Sequence, residues 1–448
     1  MSTQTQTKKI IRDLGDGLIL RHAVPSDGDA LALFYGDHLS EGGLASRDGQ
    51  RLVAMTRDVF TRPHVSLTPN DFTIVEETVS GQIVSAMCLI PQTWTYEGIE
   101  FGMGRPEYVA THRDFRKRGL IRAQFDVVHQ WCAERDLVVQ GITGIPYFYR
   151  QFGYEFALNL GGQRFGSRVS KLKDGETEKF RIRVAEEKDI PFIMSVYEHG
   201  RRRSMISANW PEAHWHNNLH EVSPDNVQRL EFRVIEHVDT NELVGYLAYP
   251  DHLLMSGVYA FHFELRPGVS WLEAAPFVAR YLWKTGQEYA KTETQPCEKF
   301  GFYLGAEHPA YEVLGEQTPA VRPPYGWYIR VPDLVGFLHH IKPVLEKRLA
   351  ESAVCGHSGE YLIGMYPKGI KLILERGRIA SIEPWKPDHA DHGNAGFPAL
   401  TFLQILFGYR SFEGLLHAFP DCWWDNDGTR IVINALFPKK SSNVYGII

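Results

Sequence analysis

Five cations crowd into ten residues of an acidic chain. Arg113, Arg116, Lys117, Arg118 and Arg122 fall within the stretch THRDFRKRGLIRAQFD, with Gly119 among them, in a protein of 448 residues and formal net charge −6. Guanidinium groups make strong charge-assisted bonds to phosphate oxygens. A glycine lets the backbone approach an anion with no Cβ in the way. That combination suits the grip of one pyrophosphate. Downstream, the run YFYRQFGYE offers phenols at Tyr147, Tyr149 and Tyr154. A phenol keeps its proton at neutral pH and can donate it.

These residues need elements to position them. The short apolar run Tyr108, Val109, Ala110 ahead of the cluster predicts a strand. Behind it, Ile121, Phe125, Val128 and Cys132 at 4-3-4 spacing predict an amphipathic helix. The cluster is therefore a loop running from a strand into a helix start. Unsatisfied N–H groups and the positive dipole end there favour phosphate. The following LVVQGITGIPYFYRQFGYEFA predicts a buried strand, a single turn and then the tyrosines.

A long-range echo organises the rest. LRHAVPSDGDALALF carries Arg21, Ala23 and Asp27, and IRVAEEKDIPFIMSV carries Arg183, Ala185 and Asp189 at the same spacing. Each lies where a strand runs into an amphipathic helix, so Asp27 and Asp189 are expected to cap those helices. A strand hairpin follows each copy, around Ser80–Gly81 and around Asp239–Asn241. The pattern predicts a duplication, with joins at the polar SKLKDGETEK and near the proline-rich RPPYGWYIRVPD. The expected division is 1–172, 173–330 and 331–448. The last part reads as α+β: a helix kinked at Pro343, two short strands, a helical pair over FPALTFLQILFGYRSFEGLLHAF, and a final strand in TRIVINALFP. Only the first copy has the Arg-rich loop; the second, through PGVSWLEAAPFVARYLWKTG, reads as a degenerate copy supplying walls and contacts.

Composition narrows the classes. Apolar residues make up 44% and charged residues 23%, as in ordinary globular proteins, and an acidic balance argues against general nucleic-acid binding. Five widely spaced cysteines (Cys88, Cys132, Cys297, Cys355, Cys422) show no metal or redox spacing and predict reduced thiols. No run approaches the ~18 apolar residues of a membrane span, and no apolar signal core opens the chain, so a cytoplasmic protein is expected. His389 and His392 with Asp388 and Asp391 invite a metal reading, but prolines and a glycine flank them and a polar loop is expected, with no metal. Arg201–Arg203 read as the basic end of the second copy's first helix, and Trp423–Trp424 as packing between domains or subunits.

Arg116-Lys117-Arg118-Gly119-Leu120-Ile121 resembles the acyl-coenzyme A loop of the GNAT acetyltransferases, and Tyr149-Arg150-Gln151-Phe152-Gly153-Tyr154 resembles their Y-x-x-F-G-[FY] signature. The whole layout is similar to the enhanced-intracellular-survival (Eis-like) type. That resemblance implies two tandem GNAT-type mixed-sheet domains followed by a sterol-carrier-protein-like α+β domain. It implies acetyl-CoA as cosubstrate and transfer to an amine: a lysine, an aminoglycoside-like polyamine or a small metabolite amine. It assigns the cofactor to Tyr108, Val109, Ala110, Arg113, Arg116, Lys117, Arg118, Gly119, Leu120 and Ile121. Tyr149 becomes the general acid, with Tyr147 and Tyr154 as rivals, and the terminal carboxylate of Ile448 the base, although the family's acidic and aromatic ending is replaced here by Gly446-Ile447-Ile448. His112 suits either covering the nucleotide or accepting a proton. Tyr35, Asp37, His38 and Glu41 are the expected acceptor residues. A homo-oligomer, in the family a hexamer, is expected. The competing reading is a carrier of lipid or another hydrophobic ligand using the last domain.

Overall fold

Strand β1 (Ile10–Gly15) reverses into β2 (Leu18–His22) through Asp16 and Gly17, both at positive φ. In the computed structural model, which describes residues 9–388 and 391–445, these strands begin a nine-stranded mixed sheet. It continues through β3 (Phe72–Glu77), β4 (Ile83–Tyr96) and β5 (Ile99–Thr111), all antiparallel, to β6 (Val139–Ile142), which is parallel to β5. Helices α1 (Gly28–His38) and α2 (Arg47–Thr61) join β2 to β3, and α3 (Leu120–Glu134) crosses from β5 to β6. Phe125, Val128 and Cys132 bury the inner face of α3, as their spacing predicts, while Ile121 stays half-buried. Strands β7 (Glu155–Leu160) and β8 (Gln163–Gly166) end this half.

The second half repeats the order. Strand β9 (Phe180–Val184), α4 (Ile190–Arg201), β10 (Ile206–Ala208) and α5 (Glu212–His216) precede the hairpin of β11 (Leu230–His237) and β12 (Leu243–Pro250). Next come β13 (Gly257–Ala260), β14 (His262–Leu265), α6 (Trp271–Tyr289), β15 (Lys299–Phe302), α7 (Pro309–Leu314), β16 (Ala320–Arg322) and β17 (Tyr325–Arg330). Strands β14-β12-β11-β9 form one sheet in the order that β5-β4-β3-β2 form theirs.

The halves exchange a strand. Strand β17, from the second, lies antiparallel between β6 and β7 of the first. Strand β8, from the first, lies antiparallel between β15 and β16 of the second. The sheets therefore cross the join expected at 172, while the strands after 330 form a sheet of their own. Strand β10 also reaches back to pair with β4.

The paired triplets do more than cap helices. Asp27 stands in a short turn before α1, where its Oδ2 accepts the backbone N–H of Val24 at 2.8 Å, and no side-chain bond reaches α1 itself. Its carboxylate takes both terminal nitrogens of Arg21 (2.6 and 2.8 Å), and Glu76 takes Nε at 2.8 Å. Arg183, Asp189 and Glu236 repeat this network at 2.6, 2.8 and 2.7 Å, with Glu186 N–H bonded to Asp189 at 2.8 Å. The expected helix caps are thus ion-paired anchors that tie strand, turn and hairpin together.

The last part departs from expectation in three places. The helix kinked at Pro343 is two helices, α8 (Leu334–His340) and α9 (Lys342–Ala350), with Pro343 in the first turn of the second, where its missing N–H costs nothing. Three strands follow rather than two: β18 (Gly359–Met365), β19 (Lys368–Glu375) and β20 (Arg378–Trp385). The helical pair is present as α10 (Phe402–Leu406) and α11 (Phe412–Ala418), and the short β21 (Ala395–Gly396) and β22 (Trp423–Trp424) complete the sheet. TRIVINALFP is no strand: α12 (Asp427–Leu436) covers it. Asn426 caps that helix by accepting the Thr429 N–H at 3.1 Å, and Val432, Ile433 and Leu436 are buried at helical spacing. One continuous core joins Trp94 and Phe101 of the first half, Phe232 of the second and Ile363 and Phe402 of the last part. No described helix is long and apolar enough to cross a membrane.

Candidate active site

The site opens where β5 and β6 part. Their parallel pairing holds only at Met103–Val139 and Gly104–Gln140. Beyond it the register of β5 on β4 skips from Glu107 to Ala110, leaving a bulge at Tyr108 and Val109, with Tyr108 at φ 55°. A bulge re-aims backbone groups that a regular ladder would consume. Between the diverging strands lies a cleft of about 890 Å³. Its walls include Tyr108, Val109 and Ala110 of β5, Thr143 and Gly144 after β6, and Tyr149.

The basic loop forms the rim. Arg116, Lys117, Gly119, Leu120, Ile121 and Arg122 all line the cleft. Lys117 (φ 64°) and Gly119 (φ 76°) adopt left-handed backbone, turning the chain sharply into α3. Nothing lies within 4 Å of where a Gly119 Cβ would stand, so the space before that N–H face is open. The five cations are exposed, and none forms an ion pair among the described residues. Arg122 bonds Gln151 Oε1 at 2.7 Å and lies over the Phe152 ring at 5.1 Å, which ties the loop to the turn carrying Tyr149. Two expected cofactor residues stand apart. Arg118 does not line the cleft itself but lies at 4.8 Å over Phe115, which does, and Arg113 lines a neighbouring hollow of about 530 Å³.

Tyr149 belongs to a one-turn 3-10 helix, Phe148–Phe152, and is 3% exposed. Phe125 of α3 and Tyr328 of β17 pack against its ring at 6.0 and 5.8 Å. Tyr328 Oη also accepts the Tyr147 N–H at 2.9 Å, so the strand lent by the second half braces this turn. Gly144 (φ 115°) passes close by; a Cβ there would stand 3.7 Å from Tyr149 Oη. Burial first, and then the nearby Glu107 charge, push the Tyr149 phenol up, which keeps it protonated and able to donate. The two rivals are placed otherwise. Tyr147 points outward, 75% exposed, and the buried Tyr154 bonds His129 Nε2 at 2.9 Å.

The acceptor residues divide. His38 lines both the cleft and the neighbouring hollow, and Asp37 lines the hollow. His38 stacks on Phe34 at 4.5 Å and stands 5.3 Å from the His112 ring; burial chiefly lowers its pKa. His112 accepts the Asp114 N–H through Nδ1 at 3.3 Å, which makes it a cap of the loop's short turn. Tyr35 lines neither cavity: one turn from Leu31, it is fully buried, with its ring 5.4 Å from that of Tyr108 in the cleft wall. Glu41 is exposed past the end of α1 and lines neither cavity. Ile448 lies outside the described residues, as does His389. Among the described residues no cluster of metal-ligating side chains occurs.

One residue escaped the sequence reading. Glu107 lines the cleft on β5, held by Arg105 Nη2 at 2.8 Å. Its place next to the Tyr108–Ala110 run was the available signal; the parting of β5 from β6 that opens a cleft there was not readable.

Residues 48–157 match the model of a family described as an acetyltransferase (GNAT) domain. No curated protein sequence matches the chain. Solved structures resemble it along nearly its whole length. A GCN5-related N-acetyltransferase from Kribbella flavida is 13% identical, with a TM-score of 0.62 over 96% of this chain and 100% of that one. Another from Anabaena variabilis ATCC 29413 is 12% identical, with a TM-score of 0.64 over 95% and 99%. Eis1 from Mycobacterium abscessus is 12% identical, with a TM-score of 0.58 over 98% of each chain. At such identities the likeness is one of fold. The matched segment contains the diverging strands, the basic loop and Tyr149, and by it this chain is an enzyme carrying an acetyltransferase domain of the GNAT type.

Proposed function

We propose that the chain is an acetyl-CoA-dependent N-acetyltransferase that moves an acetyl group directly to an amine. The observation that carries this is the basic rim at the start of α3, free of ion pairs among the described residues and opening onto a cleft of about 890 Å³ lined by the buried Tyr149. When bound, acetyl-CoA supplies the activated acetyl thioester. Arg116, Lys117 and Arg122 suit its pyrophosphate, together with the first N–H groups of α3. The bulge at Val109 offers backbone N–H groups to a carbonyl on which negative charge develops. Tyr149 gives its proton to the leaving sulfur. The acceptor amine enters past Asp37 and His38, whose carboxylate and ring suit a cation.

An ammonium group must lose a proton before it attacks. Two carboxylates are candidates for taking it: Glu107, already in the cleft wall, and the terminal carboxylate of Ile448. The chain runs toward the body of the protein as far as it is described, with Trp327 Nε1 bonded to the Val444 carbonyl at 3.1 Å. Replacing Glu107 by Gln, and separately deleting Ile448, decides between them.

The strand-exchanged halves support the reading of two tandem GNAT-type domains, the second without the loop. The continuous core shared with the last part supports a structural role for a sterol-carrier-like domain over free lipid carriage. Cytoplasmic location and a homo-oligomer, in hexameric form, complete the proposal; light scattering tests the latter. The test of function is Tyr149→Phe. It keeps the ring packing and is expected to leave acetyl-CoA affinity within about twofold while transfer slows by about 10²-fold or more. Unchanged transfer by this variant removes Tyr149 from the chemistry.

A further inference from the structure

The second half has a cavity of its own, set as the first half's cleft is set. Strand β13 pairs in parallel with β15 over Gly257–Ala260, then the chain breaks at Phe261 and β14 departs on β12. A cavity of about 260 Å³ opens beside the divergence, with His262 and Glu264 of β14 on one side and His308 at the start of α7 on another. Ser441–Tyr445 line it as well.

Four buried polar atoms around this cavity have no hydrogen-bond partner among the described residues: Tyr246 Oη, His262 Nε2, Glu264 Oε2 and Asn443 Oδ1. Tyr246 is fully buried and His262 is 8% exposed. Leaving a buried polar group without a hydrogen bond is costly, and four around one small space call for a shared partner. All four can accept a hydrogen bond. Glu264 already gives Oε1 to Arg203 and, at 3.4 Å, to His308. Burial opposes its charge, but those bonds prevail and hold its pKa low, so the free oxygen belongs to a carboxylate. Burial holds His262 neutral, its pKa down to about 4.

The walls are aromatic. Trp210 stands 5.3 Å from the His262 ring, and Tyr445 stands 5.0 Å from Phe261. Ring faces attract cations. The nearby positive charges are already engaged, Arg203 by Glu264 and Arg201 by Glu198, while the exposed Glu307 and Glu312 add negative charge at the rim. We infer that this cavity is a second ligand site, for a small organic cation with an ammonium or guanidinium head, seated on Glu264, His262 and Tyr246 between Trp210 and Tyr445.

It binds without catalysing. Tyr311-Glu312-Val313-Leu314-Gly315 repeats the spacing of Tyr149-Arg150-Gln151-Phe152-Gly153. Yet the Tyr311 hydroxyl is spent on backbone, accepting the Leu304 N–H at 3.0 Å and donating to the Phe302 carbonyl at 3.2 Å. The loop before α6 carries no counterpart of Arg116–Arg118. The site is therefore independent of whether the first cleft transfers acetyl groups.

Calorimetric titration of the full chain with n-butylammonium and with agmatine tests this, with n-butyrate as the anionic control. Saturable binding of either cation is expected in the wild type and in Glu107→Gln, with at least a tenfold loss in Glu264→Gln. Tyr246→Phe keeps the shape and removes only an unpartnered hydroxyl; it is expected to retain thermal stability and lose several-fold in affinity. No saturable binding of either cation overturns the inference. So does binding that Glu107→Gln abolishes and Tyr246→Phe and Glu264→Gln leave intact, or equal binding of butyrate.

Discussion

Replacing Gly119 by alanine separates the loop's conformational strain from its contact with an anion. Gly119 sits at φ 76° with no atom within 4 Å of a built Cβ, so the methyl group meets only left-handed strain. Strain of that kind costs an L-residue about 1–2 kcal/mol, partly offset by the lower entropy of an unfolded alanine, which leaves a net loss of about 1 kcal/mol. Gly81, in the turn between β3 and β4, has φ 73° and equally open surroundings, so Gly81→Ala is a matched control far from the loop. The two variants should lose similar stability in urea. Only Gly119→Ala places a methyl group over the N–H face at the start of α3. Forfeiting one charge-assisted bond there costs about 1.5–3 kcal/mol, or about 10- to 100-fold in acetyl-CoA affinity by calorimetry. Matched binding losses in the two variants, or none in Gly119→Ala, would refute the placement of the pyrophosphate.

Other perturbations probe the frame and the chemistry. Arg21 is 1% exposed against two carboxylates, so Arg21→Met strands buried charge and should cost about 3–5 kcal/mol in urea unfolding. Arg183→Met should cost clearly less, since the Arg183 side chain is 28% exposed; equal losses would contradict the burial argument. Burial holds His129, His214 and His262 near a pKa of about 4, below the unfolded value of about 6.5. Between those values the unfolded chain binds protons that the native chain does not, so thermal stability should fall from about pH 6.5 toward pH 4; a flat profile there argues against neutral buried imidazoles. Of the five cysteines only Cys355 is exposed, so one thiol per native chain should react rapidly with a maleimide and the rest only on unfolding.

What was legible in the sequence was local. The run into α3, the turn holding Tyr149 and both hairpins are set by neighbours in the chain: apolar spacing, a glycine at positive φ, polar turn residues. The paired Arg–Asp spacings were visible too, but their work as ion pairs with Glu76 and Glu236 required partners more than fifty residues away. The exchange of β8 and β17 was hidden for the same reason, since β17 reads as an ordinary strand wherever it pairs. Glu107 lines the site where β5 parts from β6, a divergence set by pairing between distant strands. The last helix was misread because Ile431, Val432 and Ile433 favour strands locally, while the Asn426 cap and burial at helical spacing decide otherwise. Tyr35 was drawn into the acceptor set by its neighbours, although its one-turn spacing from Leu31 already placed it on the core side.

We propose that the unpaired basic loop at the start of α3 holds acetyl-CoA over the cleft that Tyr149 lines. The most direct test is calorimetric titration of acetyl-CoA into the wild type and into Arg116→Glu with Lys117→Glu, both checked as folded. Saturable binding of one molecule per chain is expected, abolished by the double change. No binding to the folded wild type, or equal binding to the charge-reversed variant, would contradict it.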